Sequence, residues 1–139
     1  MTCLASGIIL YRRDASGVRL LVLRSAEHRQ WGFAKGRRHE EDAHEVENAV
    51  REVREETGYS DLALHPDFRA ELDYIVRETD TEYPKRVVYF LAEAPPNEPT
   101  LSDEHDEARW IERDGVDETL PYEKLRDLAR AAIDAANGT

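Results

Sequence analysis

Residues Gly36 to Gly58, GRRHEEDAHEVENAVREVREETG, constrain the fold more than any other part of the chain. Val46, Ala49, Val50, Val53 and the methyl of Thr57 recur at three- and four-residue spacing. This predicts an amphipathic helix over 43–57 with one stripe turned to a core. Gly58 suits the left-handed residue that stops it. At about 100° per residue, Glu45, Glu52 and Glu56 fall together just beside the apolar stripe, and Glu55 sits one step further round. Carboxylates at this spacing repel, by roughly 0.2–0.5 kcal/mol per pair even on an exposed helix. A hard divalent cation reverses that sign, because magnesium takes carboxylate oxygens and keeps water and phosphate oxygens as its other ligands. A solvated Glu-rich face is the other reading of the same residues. Spacing alone leaves both open.

A chain of 139 residues is expected to form one domain over 1–139, long enough for a real core. Its net charge of −11 argues against a general nucleic-acid binder, which needs a basic face. A phosphate-rich small molecule stays compatible, since local residues decide that. The cations are sixteen Arg and only three Lys, an imbalance that reads as genomic composition or salt adaptation. The single cysteine, Cys3, allows no internal disulfide, suits a reducing compartment and reads as a buried inert thiol. Met1 to Leu10 lacks a basic n-region and a long apolar run. The expectation is a soluble, cytoplasmic chain without signal peptide or membrane partner.

Residues 3–12 and 18–24 read as strands, and Asp14-Ala15-Ser16-Gly17 between them signals a hairpin. Residues 25–30 are polar loop, and Trp31-Gly32-Phe33-Ala34 leads into Lys35-Gly36. Two β-rich runs, 68–79 and 85–94, are joined through 80–84 as a second hairpin candidate. Pro95, Pro96 and Pro99 impose a loop. A short strand over 108–112 carries Trp110. A closing helix over 122–136 presents Leu125, Leu128, Ala129, Ala132, Ile133 and Ala136 as one stripe. This order fits the α/β (α+β) class: a mixed sheet flanked by helices, an α/β/α sandwich. His28, His39, His44, His65 and His105 share no metal-ligand spacing and read as surface residues.

Arg51-Glu52-x-x-Glu55-Glu56-x-Gly58 resembles the second half of the Nudix box, the signature of hydrolases that split nucleoside diphosphates linked to another moiety. The upstream half departs from the family. Gly36 lies one residue further from Arg51 than the family glycine does, and Asp42 stands where the family has Glu. Asp42 can supply a carboxylate, or cap the helix with Glu45 as its box partner. Further segments extend the likeness: Trp31 with Lys35-Gly36, Glu71 to Tyr74, Pro84 to Glu93, Leu101 to His105, and Arg109-Trp110. In that order they are similar to diadenosine tetraphosphate hydrolases of the asymmetric kind.

The resemblance implies a set of roles. Glu52 and Glu56 would be the main metal ligands, Glu55 a further ligand or water-orienter, and the Gly36 carbonyl an inner-sphere group. Arg51 would hold a helix carboxylate. Glu104 would be a metal ligand or general base, Lys35 and Lys85 phosphate contacts, and Tyr74, with Trp31, the aromatic side of the substrate site. Ala34 replaces the family's Pro. The implied cofactor is Mg2+, with Mn2+ as the alternative. The implied reaction is water attack on the polyphosphate chain of diadenosine tetraphosphate, giving ATP and AMP. Metal ions and positioned charge suit that chemistry, because a polyphosphate resists attack until its charge is neutralised. Glu52 or Glu104 would take the proton.

Structural readings accompany these. Glu104 also fits a solvated acidic loop, Lys85 a strand-start surface lysine, and Tyr74 and Trp31 sheet-face packing. Arg37 and Arg38 either contact phosphate or balance Glu40 and Glu41. Two other functions stay open: hydrolysis of another nucleotide, such as an oxidised nucleoside triphosphate or a dinucleotide cofactor, and a catalytically silent nucleotide-binding module.

Overall fold

The computed structural model describes residues 2–38 and 44–138. Strands β1 (Cys3–Asp14) and β2 (Gly17–Ser25) form the expected hairpin, in register from Tyr11↔Leu20 to Asp14↔Gly17. The Asp14 carboxylate accepts from the Ser16 amide at 2.8 Å and closes the turn. Further from the turn the two strands diverge, and residues 31–37 wedge between them. There β3 (Trp31–Gly32) pairs with β2, β4 (Ala34–Arg37) pairs with β1, and Phe33 between them is buried. These short strands were not anticipated. Their backbone is recruited by the unpaired edges of β1 and β2, with no alternating apolar pattern of their own.

Strands β5 (Ala70–Arg77) and β6 (Glu82–Glu93) make the second hairpin. Its turn is tighter than expected: the Glu78 amide donates to the Thr81 carbonyl at 2.8 Å, and Tyr83 and Pro84 already belong to the strand. Pro84 is tolerated because β1 begins to pair only at Cys3↔Lys85, so its missing N–H spoils no ladder there. β6 runs parallel to β1, and β7 (His105–Ile111) pairs antiparallel to β2. The order is β3-β2-β1-β6-β5, with β4 beside β1 and β7 beside β2.

Helix α1 (Glu45–Thr57) covers one face, setting Ala49 and Val53 against Ile8, Leu10, Leu21 and Phe90. After a short turn of helix, α2 (Val116–Thr119), the long α3 (Glu123–Asn137) covers the other, packing Leu128, Ala129 and Ile133 against Ile9, Val22 and Leu91. Successive residues of β1 therefore serve opposite cores, and the strand reads as an unbroken apolar run for that reason. This is the expected mixed sheet between helices. Gly58 ends α1 at φ 77°, with its amide bonded to the Arg54 carbonyl. At the other end His44, not an acid, caps the helix by accepting from the Glu47 amide at 3.4 Å. Asp42, read either as a further carboxylate or as the cap, lies outside the described residues, as does the stretch 39–43 around it. Cys3 is half-buried, not buried as expected. Among the described residues no helix is long and apolar enough to cross a membrane.

Candidate active site

Seating Ala49 and Val53 on the sheet draws the neighbouring carboxylates to the edge of the core. Glu52 is 8% and Glu56 2% exposed, whereas the Glu55 side chain, one step round, is 54% exposed. Glu45 leaves the cluster, held by Arg69 at 2.5 and 2.9 Å. The carboxylate group foreseen from helical spacing is thus a buried pair with an outlier. Arg51 holds helix carboxylates as expected, donating to Glu52 at 3.0 Å and to Glu55 at 3.1 Å.

Asn48, one turn before Glu52, completes this frame and was missed. It is fully buried. Its amide nitrogen donates to the Gly36 carbonyl at 3.0 Å and to Ser6 Oγ at 2.8 Å, and its oxygen accepts from Arg51 at 2.6 Å. Ser6 in turn donates to the Glu45 carbonyl at 2.7 Å. A lone amide on the helix line that carries Glu52 and Glu56 was the available signal. Gly36 lies directly against Glu52: a Cβ there would sit 2.0 Å from the carboxylate. Only glycine lets β4 approach α1 this closely.

Glu56 Oε1 is buried without a hydrogen-bond partner. Burial, then the hydrogen bond and charge of Glu52, push its carboxyl up to about 9; Lys35 opposes and Glu104 adds to the shift. His105 Nε2 approaches Glu56 Oε1 at 3.7 Å, with its side chain 15% exposed. This corrects the surface reading of His105, whose imidazole burial holds below its ordinary pKa. His65 is half-buried as well. Glu104 is exposed in the loop entering β7, anchored by its carbonyl accepting from the Ala26 amide at 2.9 Å. Among the described residues no three His, Cys, Asp or Glu side chains surround a single point. Of the anticipated ligand set, Glu52 and Glu56 come together with Gly36 beside them, Glu104 lies within electrostatic reach, and Glu55 points outward.

Lys35 emerges on the opposite side of β4 from Gly36, in register with Gly7. Lys85 and Tyr74 face each other across β6 and β5. Burial, followed by the charge of Lys35, lowers the Lys85 pKa. Tyr74 is 39% exposed and Tyr122 56% exposed. Tyr122 is the residue at which the chain enters α3, with no side-chain cap bond. A groove of about 550 Å³ runs past Tyr74 and Lys85, bordered by Arg86 and Lys124. Trp31 is half-buried against the α3-side core, with the Arg109 and Arg24 guanidinium carbons 4.5 and 5.9 Å from its ring centroid.

A mixed sheet split by a wedge, with a helix setting paired carboxylates against the wedge glycine, defines a domain that residues 1–132 match as the NUDIX domain; the chain belongs to that family. Among its relatives is the bis(5'-nucleosyl)-tetraphosphatase [asymmetrical] of Mus musculus, 33% identical across 92% of this chain and 89% of that protein. The Caenorhabditis elegans protein of the same name is 29% identical, over 94% of each chain. A crystal structure of a C. elegans Ap4A hydrolase binary complex superimposes with a TM-score of 0.88, at 27% identity over 99% of this chain and 100% of that one.

Proposed function

We propose that the chain hydrolyses diadenosine tetraphosphate asymmetrically, to ATP and AMP, in the cytoplasm and with a divalent cation, Mg2+ before Mn2+. The observation that carries this is a buried carboxylate pair at Glu52 and Glu56, with the charge of Lys35 acting on Glu56, and with Lys85 and the exposed Tyr74 paired across β6 and β5. The likeness to proteins named for this activity extends over nearly the whole chain and supports the same substrate. A single thiol suits a reducing compartment.

The donor set fits a hard cation. Glu56 carries a buried oxygen with no hydrogen-bond partner, Glu52 is its immediate neighbour, and Glu104 adds a third charge within reach. Glu52, Glu56 and the Gly36 carbonyl would hold the ion, which when bound offsets the charge of the phosphates. The protein's own residues do the rest. Lys35 and Lys85 bind phosphate oxygens, and Tyr74 and Tyr122 offer ring faces for a purine. Arg51 and Asn48 fix Glu52 and the Gly36 carbonyl. A water oxygen forms a bond to phosphorus as the bridging P–O bond breaks, and the water's proton passes to a carboxylate, for which Glu104 is the exposed candidate.

The test is incubation with diadenosine tetraphosphate and magnesium in oxygen-18 water, read by mass spectrometry. ATP and AMP, with label in one of them, are expected. ADP alone would overturn the asymmetric assignment. Cleavage of a different nucleotide from a small panel would overturn the substrate.

A further inference from the structure

We propose that Arg37 is a specificity-determining residue of the anion site: a third cation, beside Lys35 and Lys85, that contacts the polyphosphate chain and favours long chains over monophosphates. The inference rests on the reading of this face as a polyphosphate site. It begins with charge pairing. In a chain with 30 acidic residues against 19 basic ones, many arginines, among them Arg12, Arg19, Arg24, Arg69, Arg86 and Arg130, are paired with carboxylates, while Arg126 and Lys124 donate to backbone carbonyls instead. Lys35, Arg37 and Lys85 differ. Among the described residues none of the three is paired with a carboxylate, and the exposed Arg37 guanidinium is acted on by the Cys3 thiol and the Tyr83 hydroxyl.

Register places the three together. On the α3 side of the sheet, the start of β1 offers the small residues Cys3, Ala5 and Gly7, before Ile9 and Tyr11 enter the core. Lys35 stands beside Gly7 and Arg37 beside Ala5, both from β4, while Lys85 stands beside Cys3 from β6. A Cβ on Gly7 would lie 2.5 Å from Lys35 Cβ, so the missing side chain leaves Lys35 room over β1. The result is three cations set along one short stretch of small residues on β1. Lys35 acts on Glu56 at one end and on Lys85 beyond it, and Arg37 acts on Lys85 in turn. Three neighbouring like charges destabilise a folded chain unless an anion joins them. An anion long enough to run from the carboxylates past Lys35 reaches Arg37; a single phosphate does not. The planar guanidinium is suited to two oxygens of one phosphate at once.

Calorimetric titration of the whole chain in EDTA tests this, with inorganic tripolyphosphate and AMP as probes. Arg37→Gln is expected to weaken tripolyphosphate about tenfold while AMP binding is unchanged, the loss of one charge-assisted contact. Arg37→Lys should recover part of the loss. Arg130→Gln, which removes the same charge from a pair with Asp117, should bind like wild type. In steady-state assays Arg37→Gln should raise KM for diadenosine tetraphosphate far more than it lowers kcat. Wild-type tripolyphosphate affinity in Arg37→Gln, or an equal loss in Arg130→Gln, would overturn the role of Arg37. Failure of the wild type to cleave diadenosine tetraphosphate would instead sink the substrate reading, and a selective effect of Arg37 on tripolyphosphate would survive it.

Discussion

At Glu56 the chain buries a carboxyl group one of whose oxygens meets no donor, an arrangement that is unfavourable unless the group is protonated or faces a cation. With a pKa raised from 4.5 to about 9, the folded chain keeps a proton through a window in which the unfolded chain has released it. The sign follows by linkage: more protons bound in the folded state means stability falls as pH rises across that window. In EDTA, the melting temperature should therefore drop between about pH 5.5 and about pH 8.5, and Glu56→Gln should flatten the slope. Equal slopes in the two proteins would show that Glu56 is ionised without a cation. Asn48 raises a different expectation. Asn48→Ala leaves the half-buried Gly36 carbonyl and the buried Ser6 hydroxyl short of partners and should cost about 1–3 kcal/mol in urea unfolding. Glu52→Gln keeps the shape, so it should fold normally and lose at least about a hundredfold in turnover. Near wild-type turnover would remove Glu52 from the site.

Among the elements, the contact between β4 and α1 decides the site. Helix α1 brings Glu52 to the sheet, and β4 brings a residue without a side chain to meet it. In Gly36→Ala the new methyl would overlap the carboxylate carbon, 2.0 Å away, so the carboxylate or β4 must shift. A displacement of that size is expected to lower kcat roughly a hundredfold, with circular dichroism unchanged. The same strand needs Gly7 across from it on β1, where a Cβ would lie 2.1 Å from the Ala34 carbonyl oxygen. Gly7→Ala should thus destabilise the fold by about 1–3 kcal/mol, seen as a lower urea midpoint with the slope unchanged. A wild-type midpoint would mean that β4 yields freely, and the wedge would then not be rigid.

Over the whole molecule, a net charge of −11 opposes both the compact state and an anionic substrate. Most ion pairs here are exposed and contribute little, so self-repulsion is the larger salt-dependent quantity. Raising sodium chloride from about 0.02 to about 0.5 M should increase the melting temperature by a few degrees, because the Debye length shrinks below the charge spacing. A decrease would mean that the pairs outweigh the repulsion. The fold answers the substrate problem locally. It gathers Lys35, Arg37 and Lys85 on one face and engages many of the remaining cations with carboxylates.

The sequence by itself determined the elements whose signal is local: the two long hairpins, the extent of α1 and its left-handed glycine stop, the closing helix, and the helix line that carries Glu52 and Glu56. Periodicity and turn chemistry act between neighbours in the chain, so they can be read there. The tertiary structure alone decided what depends on approach. It turned Glu55 outward and gave Glu45 to Arg69, because the seating of α1 on the sheet fixes which side of each carboxylate meets solvent. It made strands of residues 31–37, whose pairing comes wholly from the diverging edges of β1 and β2. It also brought His105 to Glu56 and Asn48 to Gly36. The partners in each of these contacts lie at least a dozen residues apart, and no pattern within either segment encodes the other.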